Sequence, residues 1–338
     1  MPKRILLVCG GDGSEHSISI SSAQYLETRL SQNPDLKVLK VCLHEGSYAD
    51  ESGRQGFFEH TGKFNIGGTV HDVDAVVPCF HGIPGETGQF QSYLEMLGLE
   101  YIGCDSQASI NCFNKITTKL YLSALDIPNS PFMIIGSKDD ESIRKAQECF
   151  DKWQNVYIKA ACQGSSIGCY HVKKAEDLKD SIFEAFYYSN SVIMEKTIEN
   201  RELEVATYEF DGKIHAAGPG EILTPENDDF YTFDQKYAKS SATTTELEAK
   251  GLTLEQSKRI RELAIKAFKG LRLRDLSRID FFLSSDGEVM INEINTFPGM
   301  TPISMFPKLL EHNGHDMTKF LTQCIDRAIS RKGQKKLI

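Results

Sequence analysis

Asp280 and Glu293 are two carboxylates set to face each other across a hairpin. They lie in two apolar runs, RIDFFLSSDG (278–287) and EVMINEIN (288–295), joined at Asp286-Gly287, a dipeptide that favours tight turns. Counting outward from a two-residue turn, or from a four-residue one with the same register, pairs Phe282 with Ile291, Asp280 with Glu293 and Arg278 with Asn295. Alternate strand residues share a face, so these polar pairs fall together on one side. Ile279, Phe281, Leu283, Met290 and Ile294 form the other, a core face with Asn292 as its single exception. Carboxylates directly opposite each other, with Cβ atoms roughly 4.5 to 5.5 Å apart, destabilise a sheet unless positive charge lies between them. Arg278, on the same face, is one candidate for that charge. A hard cation is the other, because two carboxylates and an amide oxygen suit Mg2+, which keeps its remaining positions for water and phosphate oxygens.

Phosphate-binding groups occur elsewhere. In YIKAACQGSSIGCYHV (157–172), Gly164, Ser165, Ser166 and Gly168 form a small-residue loop between two strands, and Lys159 adds a point charge at a strand end. Backbone N–H groups and hydroxyls of such a loop can close over phosphate oxygens. Alone, the pattern is also that of a plain hairpin turn, and it is no Walker loop, since no helix carrying Lys-Ser/Thr follows. VIMEKTIENRE (192–202) ends a strand on Glu195 and Lys196 and sets Glu202 further on. Such a connector can pair its backbone with adenine and an acid with ribose hydroxyls, or its charges are simply solvated.

CGGDGSEH (9–16) lacks the third glycine of a dinucleotide fingerprint, and Glu15 would oppose a pyrophosphate. A carboxylate at the C-terminal edge of a strand suits an ammonium group; it could equally be an acid favoured by the helix macrodipole. FHGIPGETGQ (80–89) puts His81 at the carboxyl end of a strand, the side on which open α/β sheets bind ligands, although a histidine there can be purely structural.

The elements that must position these groups alternate along the chain. Strands are predicted at 4–9, 37–43 and 74–80, with helices over 17–31 and 86–97, which make a small parallel sheet with crossovers. A helix over 106–125 leads to a strand at 131–135, a helix at 139–151, strands at 156–160 and 168–172, a helix at 175–188 and a strand at 191–196. Strands from 202, a polar stretch from Thr224 to Lys250, a helix over 254–270, the hairpin and two terminal helices complete the chain. The polar stretch has a length usual for functional lids or for disorder. Boundaries near 105 and 200 divide the chain into units 1–105, 106–200 and 201–338.

At 338 residues, with 40% hydrophobic and 25% charged residues, the composition is that of an ordinary globular protein. A net charge of −9 argues against nucleic acid as a partner. No apolar run approaches the roughly 20 residues of a membrane span, and the N-terminal apolar stretch is too short for a signal peptide. A cytoplasmic location is expected. Nine scattered cysteines fit reduced thiols.

Together the motifs have a family order. GGDGSEHSIS, HGIPGETGQFQSYLEMLGLEYIG, NKITTK, GSSIG, EKTIENRELEVA, FYTFDQKY, SRIDFF and NEINTFPGMTPISMFPKL span nearly the whole chain, and their succession resembles that of the D-alanine–D-alanine ligases of the ATP-grasp superfamily. The resemblance implies an α/β chain in which an N-terminal parallel α/β domain precedes a two-lobed ATP-grasp fold. It implies ATP-dependent ligation of two D-alanines through an acyl phosphate, for peptidoglycan precursor synthesis. The cofactors implied are ATP and two Mg2+ ions, with Mn2+ able to replace them, and the assembly implied is a homodimer.

By the same resemblance Asp280, Glu293 and Asn295 hold the metal. Lys115 and Lys159 hold phosphates under Ser165 and Ser166, Glu195, Lys196, Ile198 and Glu202 line the adenosine, and Lys236 reaches the γ-phosphate from the lid. The first D-alanine meets Glu15 and His81; the second meets Ser304 and the Met305 backbone. Arg278 and the Gly299 N–H hold an oxyanion, and Tyr237 closes over the site, linking through Ser165 to Glu15. Departures from the family pattern are Gly13, Ser17, Asn114, Ala160 and the TPIS at 301–304. D-lactate, D-serine or another amino acid is the alternative acceptor, and Tyr237 favours D-alanine.

Overall fold

The computed structural model describes residues 2–223 and 244–332. The described strands form three sheets. The first holds β1 (Lys3–Gly10), β2 (Leu36–His44), β3 (Ser47–Ala49), β4 (Gln55–Phe58), β5 (Lys63–Ile66), β6 (Thr69–Asp72) and β7 (Ala75–Pro78), in the order β6-β5-β4-β3-β2-β1-β7. β1 pairs in parallel with β2 and β7. From β2 to β6 every pairing is antiparallel. The expected small parallel sheet is therefore three strands of a longer one. The arm over residues 47–72 escapes sequence reading because strands of three or four residues are too short to show a period of two. Helix α1 (His16–Leu30) follows β1 as expected, whereas α2 (Gln89–Met96) starts three residues later than predicted, after Gly88 at φ +75°.

The helix predicted over 106–125 is two helices, α3 (Ser106–Phe113) and α4 (Lys115–Ala124). Asn114, at φ −81° and ψ 106°, ends one and caps the other, its Oδ1 accepting from the N–H groups of Ile116 and Thr117. Asparagine is among the best helix N-caps, so this departure from the family pattern leaves the local structure intact. The second sheet, β10-β9-β11-β8, comprises β8 (Phe132–Ile135), β9 (Val156–Ala160), β10 (Cys169–Val172) and β11 (Val192–Lys196), all antiparallel. Helices α5 (Asp140–Trp153) and α6 (Ala175–Tyr188) pack on it around a core of their own.

The third sheet, β14-β13-β12-β15-β16, comprises β12 (Asn200–Phe210), β13 (Lys213–Leu223), β14 (Thr244–Glu246), β15 (Leu276–Ser284) and β16 (Val289–Asn295). The β15–β16 hairpin reaches the expected polar pairs by a different route. Ser284 N–H donates to Glu288 O at 3.0 Å and closes a three-residue loop with Gly287 at φ +89°. That loop slips the register by one, so Phe281 faces Ile291 and Phe282 faces Met290. A β-bulge that absorbs Asn292 slips it back, and Asp280 faces Glu293 and Arg278 faces Asn295. The core face is corrected accordingly: Val289 and Ile291, rather than Met290, join Phe281 and Leu283. Asn292, the exception in the alternation, is the extra residue of the bulge and lines a cavity.

Helix α7 (Leu254–Gly270) covers this sheet, and residues of α3 and α4 share its core. Helices α8 (Met305–His312) and α9 (Met317–Arg331) close the other face in one core with α1, β1 and β7. A polar hub locks that junction. Buried Asp275 accepts from Gly103 N–H at 2.9 Å and from Arg327 Nε at 2.8 Å, while Arg331 Nη2 donates to Tyr101 O at 2.6 Å.

Candidate active site

The ends of β9 and β11, the start of α4 and one face of the third sheet surround a cavity of about 910 Å3. Lys159 and Glu195 are neighbours across β9 and β11 (Ile193 pairs with Lys159, Glu195 with Tyr157) and Glu195 Oε2 lies 3.4 Å from Lys159 Nζ. The same oxygen is 3.3 Å from Lys119 Nζ and accepts from Ser130 Oγ at 2.8 Å. Lys119 is 1% exposed and Glu195 3%. Burial works against the Glu195 charge, yet Lys159 and Lys119 hold its carboxyl down at about 2. Lys159 suffers the same burial, and Glu195 raises it above the usual lysine range. Glu195 is therefore first of all the counter-charge of two lysines.

Lys115 is the first residue of α4; its N–H donates to Ala161 O at 2.9 Å and its Nζ to Gln163 O at 2.5 Å. Burial lowers its pKa. Beyond it the loop folds tightly, with Ile167 N–H donating to Gly164 O and both central residues left-handed, Ser165 at φ +51° and Ser166 at φ +63°. Two successive non-glycine residues in that region carry strain of the kind found at ligand clamps. Lys196, Ile198 and Glu202 line the same cavity.

Ser165 Oγ donates to Glu15 Oε1 at 2.6 Å, joining the loop to the first sheet across 150 residues of sequence. Glu15 occupies the N-cap position of α1 but makes no side-chain cap bond, which leaves its carboxylate aimed at the loop. His81 is buried, hydrogen-bonded through Nε2 to Ser22 Oγ at 2.8 Å and to the Phe297 backbone. Burial pulls its pKa to about 4, so the ring is neutral and ties α1 to the segment after β16. Glu86 accepts from Gly82 N–H at 3.1 Å, and burial with the nearby Glu15 charge pushes its carboxyl up to about 8.

On the third sheet Arg278 grips Asp280 in a fork, Nε to Oδ1 at 2.7 Å and Nη2 to Oδ2 at 2.6 Å, and lies 3.2 Å from Glu204 Oε1. Asn295 donates its amide N–H to Asp280 Oδ2 at 2.9 Å, which leaves its carbonyl oxygen as the acceptor a hard cation would take. Of the two neutralising groups considered from sequence, Arg278 is in contact with Asp280, while Asp280, Glu293 and Asn295 are an all-oxygen set of the kind that suits Mg2+. Among the described residues no group of three His, Cys, Asp or Glu side chains is arranged to hold a metal, so the candidate set is two carboxylates and an amide.

At the start of α8, Ser304 Oγ accepts from Thr301 N–H at 3.1 Å and lies 2.7 Å from Thr301 Oγ1. A Cβ on Gly299 would come 2.9 Å from that hydroxyl, so only glycine fits beside it. Ser304 and the Met305 N–H open a helix whose N-terminal dipole favours a carboxylate.

Lys236 and Tyr237 lie outside the described residues, as does most of the polar stretch predicted to be a lid. Residues that sequence reading passed over are Lys119, Ser130, Glu86 and Glu204. Lys119 was available from its spacing of four after Lys115, which puts both on one helix face. Glu204 alternates with Glu202 and so shares its strand face. Glu86 was hidden by the helix predicted to begin at it.

Comparison with known proteins gives the chain a family. Residues 4–104 match the family model described as D-ala D-ala ligase N-terminus and residues 121–326 the one described as D-ala D-ala ligase C-terminus. A D-alanine–D-alanine ligase of a Shewanella species is 49% identical over 332 residues, covering 97% of this chain and 98% of its own. One from Tolumonas auensis is 50% identical over 317 residues, covering 94% and 96%. The crystal structure of D-alanyl-alanine synthetase A from Vibrio cholerae superposes with a TM-score of 0.93 at 44% identity, over 97% of this chain and 99% of that one. With both family halves matched and such identity along nearly its full length, the chain belongs to the D-alanine–D-alanine ligase family.

Proposed function

We propose that this chain joins two D-alanines to D-alanyl-D-alanine at the expense of ATP, through an acyl phosphate. The observation that carries the reading is the Ser165–Glu15 hydrogen bond of 2.6 Å, which brings the phosphate loop to the carboxylate suited to an amino acid's ammonium group. Lys115 and Lys159 hold the α and β phosphates, Ser165 and Ser166 cover them, and Glu195, Lys196, Ile198 and Glu202 line the adenosine. Asp280, Glu293 and Asn295 hold two Mg2+ ions, replaceable by Mn2+, which supply charge neutralisation during phosphoryl transfer.

Glu15 binds the ammonium of the first D-alanine, and His81 lies on the side of its carboxylate. That carboxylate attacks the γ-phosphate, forming the acyl phosphate and releasing ADP. Ser304 Oγ and the Met305 N–H anchor the second D-alanine by its carboxylate, so that its amine attacks the acyl carbon. Arg278 and the Gly299 N–H stabilise the oxyanion that develops there, and phosphate leaves. Lys236 and Tyr237 act from the lid, Lys236 on the γ-phosphate and Tyr237 as a cover that keeps water from the acyl phosphate. The units 1–105, 106–200 and 201–338 work as a homodimer in the cytoplasm, and the product serves peptidoglycan precursor synthesis.

ADP release with and without D-alanine, followed by product analysis with equal D-alanine, D-lactate and D-serine, tests the reading. D-alanyl-D-alanine as the main product is expected. A mixed depsipeptide or D-alanyl-D-serine would transfer the chain to a different acceptor, and D-alanine-independent ADP release would remove the ligase assignment.

Gly82 offers a narrower test. It sits at φ +63°, and a Cβ there would come 2.5 Å from Glu15 Oε2. Strain of about 1 to 3 kcal/mol should make Gly82→Ala lose roughly 10- to 100-fold in kcat/KM for D-alanine, with ATP binding unchanged. Steady-state kinetics with D-alanine varied decide it, and an unaltered D-alanine dependence would detach Glu15 from the first substrate.

A further inference from the structure

Glu204 on β12 pairs with Asp280 on β15, which pairs with Glu293 on β16, so three carboxylates stand in a row across adjacent strands. Like charges opposite one another destabilise a sheet, and among the described residues Arg278 is a cation in contact with two of the three, Asp280 and Glu204. Its fork takes both oxygens of Asp280, and Asn295 adds a third donor. A carboxylate offers about four lone-pair positions, so protein donors occupy most of those on Asp280. A cation ligated by Asp280 competes with the guanidinium for the same oxygens. Arg278 is too deeply placed to be left without a counter-charge cheaply. Glu204, 6% exposed, stands on its other side, and the Arg278 Nε–H lies between Asp280 Oδ1 at 2.7 Å and Glu204 Oε1 at 3.2 Å. A small tilt hands that donor from one acid to the other while the guanidinium stays in the site.

We propose that Glu204 is a positioning residue for Arg278, retaining the guanidinium beside the reacting carbonyl when Asp280 turns to a divalent cation. The inference rests on the assignment of Asp280 to the metal and Arg278 to the oxyanion. It gives the row of three acids a division of labour: Glu293 and Asp280 serve the cation and Glu204 serves the arginine.

Glu204→Gln and Glu204→Asp in the full chain test it, by melting in EDTA, by Mn2+ affinity in the presence of ADP read by electron paramagnetic resonance, and by kcat and KM at saturating Mg2+. Glu204→Gln should melt in EDTA close to the wild type, because Asp280 still neutralises the arginine. Its Mn2+ affinity should fall about 10-fold or more, since Arg278 then holds Asp280 harder, as expected for one charge-assisted hydrogen bond. kcat should fall about 10- to 100-fold with the KM for ATP little moved, and Glu204→Asp should recover part of it. Unchanged Mn2+ affinity and kcat would overturn the proposal. So would a lower melting temperature in EDTA with unchanged Mn2+ affinity, which would make Glu204 an ordinary structural partner. If the wild type releases no ADP in response to D-alanine, the ligase reading fails by itself, and the Mn2+ measurement still judges Glu204.

Discussion

Arg278→Ala is expected to lower kcat by about 100- to 1,000-fold, the usual consequence of removing one oxyanion donor. It should also destabilise the protein, because Asp280 and Glu204 both lose the guanidinium they share. Burial disfavours the arginine's charge, but Asp280 and Glu204 more than compensate, holding its pKa well above the ordinary value. Removing the guanidinium takes a shared buried counter-charge from both carboxylates, at a cost of about 3 kcal/mol or more. Mg2+ should narrow that deficit by binding the same carboxylates, whereas a monovalent salt at equal ionic strength should not. Melting curves in EDTA, Mg2+ and NaCl, beside single-turnover kinetics, separate the two effects. A variant turning over at near wild-type rate would remove Arg278 from the chemistry, and equal melting in all three media would remove it from the carboxylate row.

Glu195→Gln should show the largest loss of stability at neutral pH. Lys119 and Lys159 share Glu195 Oε2, and a neutral amide leaves both ammonium groups buried without their anion, a change of about 3 to 5 kcal/mol for a broken buried pair. The pH dependence follows from the carboxyl's position at about 2 in the fold against an ordinary 4.5. As pH falls the unfolded chain takes up the proton first, so the folded state loses its advantage. The contribution, on the order of 3 kcal/mol, is complete above the unfolded value and is lost as pH falls from about 4.5 toward 2. Melting temperature recorded from pH 7 down to pH 3 should therefore drop more steeply in the wild type than in the variant, with the curves converging in acid. Parallel curves across the range would show that the lysine–glutamate cluster does not carry the stability assigned to it. Loss of ATP binding should accompany the change, since Lys159 loses the group that fixes its Nζ.

Much of this site was readable without coordinates, for a physical reason. The pairing of Asp280 with Glu293 and of Arg278 with Asn295 depends on local alternation and on a turn signal, both carried within eighteen consecutive residues, 278–295. The lysine at the end of β9 and the small-residue loop are local in the same sense, as are the nine described helices apart from the split at Asn114 and the late start of α2. Yet even the hairpin reached its polar pairs through two offsetting irregularities. A three-residue loop and a bulge at Asn292 each shift the register by one, and only backbone geometry distinguishes that from a plain two-residue turn.

By itself the sequence determined the order of the longer strands and helices, the chemical types at each strand end and the succession of motifs that marks a D-alanine–D-alanine ligase. The tertiary structure decided how groups from distant elements meet. Glu15 reaches Ser165 because the first sheet and the β9–β10 loop are brought together, and His81 is committed to Ser22 and the Phe297 backbone because α1 and the segment after β16 pack over it. Glu195 is a counter-charge because Lys119 arrives from a helix and Lys159 from a neighbouring strand. Glu204 joins the carboxylate row because β12 lies beside β15. Strand alternation and helix periodicity are properties of a few consecutive residues, whereas the approach of distant side chains depends on how whole sheets share their cores, and no local pattern encodes that.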